Sequence, residues 1–151
     1  MNDNLPHLLN ISKLTDTLAL KLPSFQGPWK YTKTSFGQSN PTFILTGKKN
    51  KLVLRKKPSG TLLKSAHMIE REFKVMSALK LSNVPVPKMH YLCEDNDDIG
   101  TPYFIMEYID GQSFLDPRVH GFTNENRKKI YQESTKAVSY THLTLPTKRI
   151  V

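Results

Sequence analysis

Ile11, Leu14, Leu18 and Leu22 recur at spacings of three and four residues, which is the repeat of one face of a helix. The pattern predicts a helix over about Ser12–Leu22, with Asn10 and Ser12 forming a polar lead-in and Pro23 unable to continue the coil. The period then shortens. WKYTKTSF, PTFILTG and KLVLRKK read as β-strands, joined by the turn-like GQSN and GKKN, with Gly47 and Asn50 marking the second connection as a tight antiparallel turn. Pro58, Ser59 and Gly60 end this meander. A second helix is predicted over about Ser65–Leu81, where Ala66, Ile69, Phe73, Met76 and Leu79 define one apolar face that should pack on the sheet.

VPVPK, Val84–Lys88, cannot be helical, because each proline disfavours the α region for the residue before it. KMHYLCE and TPYFIMEYI follow as two further strands, joined by the acidic turn DNDDIG and ended at Gly111. In the third predicted helix, ENRKKIYQESTKA, Thr123 is the N-cap and Glu125 lies in the first turn, where the helix dipole favours an anion. The element order is helix, three strands, helix, two strands, helix, which places the chain in the α+β class as a five-stranded antiparallel sheet with an inserted helix and flanking helices.

Composition narrows the picture only modestly. The 151 residues, 38% of them apolar and 23% charged, suit one modest core. One cysteine, Cys93, excludes a disulfide within the chain and points to a reducing compartment. No apolar run has the length of a membrane span, and the N-terminal residues lack the basic-then-apolar order of a signal peptide, so the cytoplasm is the expected location. The net charge of +9 would attract phosphate on a nucleotide, a nucleic acid or a membrane without choosing among them. Much of it reads as a solvated face.

Four segments carry candidate chemistry. In LVLR, Arg55 stands at the end of a strand, where an always-charged guanidinium can grip phosphate oxygens. Glu72 lies roughly 60° from the centre of the second helix's apolar face, at about 100° per residue, and so borders the packed side, where a carboxylate needs a cation. Glu70 lies nearly 100° off centre on the other flank, as judged by the same rotation, and is the poorer partner for Arg55. FGQSN offers Gly37 for close backbone approach to a phosphate, with Gln38, Ser39 and Asn40 beside it. An ordinary polar hairpin would look the same. FIMEYIDG could place Met106 at the back of a base pocket and offer the carbonyl of Glu107 and the amide of Ile109 as an adenine-reading edge. It also reads as a buried strand.

Taken together, GQSNPTFIL, VLRKKPSGTLLKSAH, REFKVMSAL, VPVPK and YLCEDNDDIGTPYFIMEYIDG resemble the phosphotransferase family of aminoglycoside phosphotransferases and choline kinase-like enzymes. Within it they resemble the branch whose domain precedes an acyl-CoA dehydrogenase in some proteins. The resemblance covers roughly Leu14–Ala137. It implies the N-terminal lobe of a protein-kinase-like fold over residues 1–137, with Arg55 and Glu72 as the phosphate-holding pair, Gly37 to Asn40 as the phosphate loop, and Glu107 to Ile109 as the adenine edge. The implied cofactors are ATP and Mg2+. The implied reaction is phosphoryl transfer to the hydroxyl of a small molecule, and the dehydrogenase association suggests a hydroxylated acyl thioester. Neither a membrane nor a nucleic acid is an expected partner. A kinase-like module that holds nucleotide or a partner without catalysis stays open, as does a basic nucleic-acid-binding domain, which only the charge and scattered aromatics support.

The family's catalytic carboxylate and metal ligands lie in a second lobe, and no residue here matches them. His120-Gly121 is followed by Phe122 where the family's loop has Asp. Asp95, Asp97 and Asp98 form a solvated acidic turn, and His67 and His90 lack ligand partners at metal spacing. Cys93, Met76, Met89 and Met106 read as packing residues. After Ala137 the family's helical periodicity gives way to VSYTHLTLPT, rich in β-branched residues and ended by Pro146, with little support for a helix. Val138–Thr147 also reads without mismatch as a translation of the transposon-end adapter used in sequencing libraries. Residues 138–151 are therefore expected to be a non-native tail.

Overall fold

A computed structural model describes residues 9–34, 39–60, 67–112, 114 and 116–144, with side chains through residue 138. Helix α1 spans Ile11–Lys21. Strands β1 (Lys30–Lys33), β2 (Thr42–Thr46) and β3 (Lys51–Lys56) follow, then α2 (Ile69–Leu79), β4 (Met89–Cys93), β5 (Tyr103–Glu107) and α3 (Asn124–Thr144). The strands form one sheet in the order β1-β2-β3-β5-β4, and every pairing is antiparallel. The described residues up to 77, together with 87–108, form one compact unit, and the described residues of 78–86 and from 109 onward a second.

Capping and turn chemistry position these elements. Asn10 Oδ1 accepts the Lys13 amide at 3.2 Å, which satisfies one of the donors a helix start leaves unpaired. Gly47 N donates to Asn50 O at 2.8 Å and closes the β2–β3 hairpin between the paired Thr46 and Lys51. Thr123 Oγ1 accepts the Asn126 amide at 3.3 Å, the N-cap of α3.

The sheet has two different faces. On β3, Leu52 and Leu54 pair laterally with Leu45 and Phe43 of β2 and with Glu107 and Ile105 of β5. With a side-chain period of two, Phe43, Leu45, Leu52, Leu54, Tyr103 and Ile105 all point to one side. There they form a single core with Leu14 and Leu18 of α1 and with Trp29, Cys93 and Ile99. Val53, Arg55, Phe104 and Met106 belong to the other side, where Phe73 of α2 packs on Phe104 with ring centroids 5.9 Å apart. The core under α1 thus leaves the opposite face to Arg55 and α2.

Three boundaries differ from the sequence reading. β1 is confined to Lys30–Lys33, shorter than the run WKYTKTSF. α2 begins at Ile69, because His67 sits at φ 60°, in the left-handed region a right-handed helix cannot include. It ends at Leu79, whose carbonyl accepts the Ser82 hydroxyl at 2.6 Å. α3 runs on to Thr144, beyond Ala137, where the β-branched tail was expected to stop it. Each Val or Thr costs a helix only about half a kcal/mol relative to Ala, an established helix adds residues without repeating the large cost of nucleation, and the next proline comes only at Pro146.

Candidate functional site

Arg55, next to last in β3, is held from two directions. Its Nε lies 2.9 Å from Glu72 Oε1 and 3.0 Å from Oε2. Its Nη1 donates to Thr42 Oγ1 at 2.8 Å and to Asn40 O at 3.2 Å. The Arg55 and Glu72 side chains are 20% and 33% exposed, so the pair borders solvent without being immersed in it. Among the described residues, no partner engages Nη2. That edge of the guanidinium keeps its donors for an anion.

The residues expected around this pair divide into three groups. Gly37 and Gln38 lie outside the described residues. Ser39 is exposed and Asn40 is buried. The Asn40 side chain turns into the protein, toward Glu72 Oε2 at 3.5 Å and His67 Nδ1 at 2.9 Å. Met106 is half-buried on the Arg55 face, opposite Val53. Glu107 closes β5 and its carboxylate accepts the Lys88 amide at 3.1 Å. Ile109, 59% exposed, belongs to the second unit.

Sequence reasoning passed over two members of this site. Lys57 pairs with Glu70, so the flanking carboxylate has a cation of its own. Burial pushes the Glu70 carboxyl up, but hydrogen bonds from Lys57 and from its own amide, with the charges of Lys57 and Lys74, outweigh this and hold it below the ordinary value. His67 joins through Asn40, a residue far away in sequence, and no local pattern announces such a contact.

In the acidic turn Asp95 and Asp97 are exposed and Asp98 is partly buried; Asp95 Oδ1 lies 3.1 Å from Cys93 Sγ, and Asp98 Oδ2 accepts the Tyr103 hydroxyl at 2.6 Å. Burial, then the neighbouring Asp95, pushes the Cys93 thiol up to about 12. His90 packs edge-on against Phe25, and burial together with Lys88 lowers its pKa and so favours the neutral ring. No group of three or more His, Cys, Asp or Glu side chains among the described residues could hold a metal ion. No helix among them is long and apolar enough to cross a membrane.

A five-stranded antiparallel sheet in this order, with a strand cation held by a carboxylate of the helix that follows, defines the kinase-like class of phosphotransferase domains. The chain belongs to the phosphotransferase enzyme family, whose family model matches residues 30–138. It is 47% identical over 116 residues to mouse acyl-CoA dehydrogenase family member 10, covering 77% of this chain and 11% of that protein. To rat acyl-CoA dehydrogenase family member 11 it is 38% identical over 140 residues, covering 90% of this chain and 18% of that protein. A solved structure from Ralstonia eutropha, assigned to the aminoglycoside phosphotransferases, superposes with a TM-score of 0.73 at 34% identity. It covers 89% of this chain and 38% of that one. The chain therefore spans less than a fifth of the length of each of these curated relatives.

Proposed function

We propose that this chain is the nucleotide-binding lobe of an ATP-dependent phosphotransferase acting on a small-molecule hydroxyl. The carrying observation is the Arg55 guanidinium, fixed by Glu72, Thr42 and Asn40 with Nη2 directed to no other described residue. A preset cation is what the α and β phosphates of a nucleotide require, since phosphoryl transfer depends on positioning and charge more than on covalent chemistry from the protein. Within the first unit, Ser39 and Asn40 would lie at the phosphate end, Met106 would back the base, and the Glu107 carbonyl would be offered to adenine.

Mg2+ would travel with ATP and neutralise phosphate charge. Within this reading the part assigned to the described residues is the nucleotide rather than its metal. We place the acceptor-orienting carboxylate and the metal ligands in the parent protein, outside these 151 residues, and read residues 138–151 as adapter-derived. By analogy with the relatives' dehydrogenase names we propose a hydroxylated acyl thioester as acceptor, and we keep the cytoplasm as the proposed setting, with neither a membrane nor a nucleic acid as partner.

Titrating the chain with ATP and with adenosine tests the reading. Arg55→Ala should weaken ATP binding at least tenfold, as loss of a charge-assisted contact does, and leave adenosine binding unchanged. Equal ATP affinity in wild type and Arg55→Ala would overturn it. The chain alone should transfer no phosphate. Turnover that disappears in Arg55→Ala would refute that part. The parent reading frame beyond Ala137 should continue as family sequence and encode the catalytic and metal-binding Asp residues. A parent frame that instead continues through VSYTHLTLPT would refute the adapter origin of the tail.

A further inference from the structure

Asn40 is 6% exposed, and a buried amide without partners would be costly. Its side chain lies between a carboxylate and an imidazole: Nδ2 is 3.5 Å from Glu72 Oε2, and Oδ1 is 2.9 Å from His67 Nδ1. The ionised carboxylate only accepts, so the amide nitrogen must face Glu72, and the reverse setting would put two acceptors together. Oδ1 then faces His67, and the imidazole must donate from Nδ1. A directed chain results, in which His67 Nδ1–H donates to Asn40 and Asn40 Nδ2–H donates to Glu72, which also receives Arg55 Nε–H. The Asn40 carbonyl closes the circuit by accepting Arg55 Nη1 at 3.2 Å and the Thr42 hydroxyl at 3.1 Å.

Two features mark this as an arrangement held in place. His67 has φ 60°, an uncommon conformation for a side-chain-bearing residue that the surroundings must support. It lies in the turn just before α2, where its carbonyl accepts the Ile69 amide at 2.9 Å, so the residue that opens the Glu72 helix also reaches back to the end of the β1–β2 loop. In addition, Asn40 touches both members of the ion pair, Glu72 by its side chain and Arg55 by its backbone. The guanidinium cannot swing without breaking bonds on two edges.

We propose that Asn40 and His67 are positioning residues that lock the Nη2 edge of Arg55 toward a nucleotide phosphate, with His67 acting through Asn40 as the Nδ1–H tautomer. The proposal rests on the reading of Arg55 as the phosphate cation. A guanidinium already fixed loses less freedom on binding than a mobile one, so the network contributes to phosphate affinity and leaves base recognition untouched.

Two variants separate the side chain from the backbone. His67→Gly accepts the left-handed conformation and removes the ring, whereas His67→Asn tolerates that conformation and can donate from its amide. ATP affinity should fall roughly five- to tenfold in His67→Gly, the loss of about one hydrogen bond. Adenosine affinity should stay constant, and His67→Asn should restore ATP binding. In the free protein, 15N spectra should show the His67 proton on Nδ1 and an Asn40 side-chain amide protected from exchange, a protection lost in His67→Gly. Wild-type ATP affinity in His67→Gly, alongside weakened binding in Arg55→Ala, overturns the positioning role and spares the nucleotide reading. An equal fall for ATP and adenosine also overturns it, since that marks a general structural role. Unchanged ATP affinity in both Arg55→Ala and His67→Gly removes the phosphate reading and this proposal with it.

Discussion

Lys57 donates to Glu70 and thereby forms a second rung beside the pair of Arg55 and Glu72. Residues two apart on an extended strand share a face, so Arg55 and Lys57 both look toward α2. The strand residue nearer the N-terminus meets the helix residue nearer the C-terminus. Each carboxylate of the helix's first turn thus has its own cation, and Glu70 cannot compete for Arg55.

This rung sets an acid dependence. The folded-state pKa of Glu70 lies below its ordinary 4.5, so the pairing stabilises the fold fully above that value, and the contribution fades as pH falls through the folded pKa. Lys57→Met should raise the Glu70 pKa in a carboxyl 13C titration. The stability gap between wild type and variant in urea should narrow between pH 7 and pH 3. An unmoved Glu70 titration would show that Lys57 is not the controlling cation.

The core under α1 should carry much of the fold's stability. Leu18 is fully buried and packs within the cluster on the sheet face opposite Arg55. Leu18→Ala leaves a cavity where a relaxed backbone cannot follow, at a cost of about 2–5 kcal/mol. Denaturant unfolding measures this directly. A loss below about 1 kcal/mol would mean that α1 is not integral to the core.

Much of this arrangement was legible in the chain because it rests on local regularities. Leu14 and Leu18 mark a helix face by spacing, Gly47 and Asn50 mark a hairpin, and Glu72 borders an apolar stripe. What could not be read depends on contacts between distant residues. Nothing in the spacing of Leu14 and Leu18 says which sheet face α1 covers. Apolar spacing alone starts α2 too early, because the left-handed backbone of His67 is held by tertiary contacts rather than by its own preference. The neighbours of Asn40 in FGQSN carry no sign that its side chain completes a bond network with residues 27 and 32 positions away. In α3 the β-branched residues after Ala137 outweighed helix continuation in the sequence reading, yet their penalty per residue is small.

Gly47 is required for space rather than for conformation. A Cβ there would stand 2.5 Å from the Gln26 carbonyl oxygen and 2.9 Å from the Trp29 ring. Neither can yield easily, since one is backbone and Trp29 is only 7% exposed. Gly47→Ala should destabilise by about 1–3 kcal/mol through overpacking. Gly111→Ala, where a Cβ would meet nothing within 4 Å, should change stability by less than about 0.5 kcal/mol. Equal thermal midpoints for the two variants would refute the packing argument.

Cys93 should report on opening of the sheet. Cys93 is 4% exposed, and a pKa pushed up to about 12 leaves almost no thiolate at pH 8, so alkylation should proceed only through transient opening. Tyr103 is fully buried, and its hydroxyl donates to Asp98 at 2.6 Å. Tyr103→Phe removes that donor from a carboxylate also lying 3.7 Å from the Cys93 sulfur, and should cost about 1–2 kcal/mol. When reclosing outpaces cleavage or labelling, reactivity follows the open population, so the variant's alkylation rate should rise by the same factor as its unfolding equilibrium. A native Cys93 that reacts at pH 8 as fast as in urea would show that the turn from Asp95 to Asp98 does not seal this corner of the core.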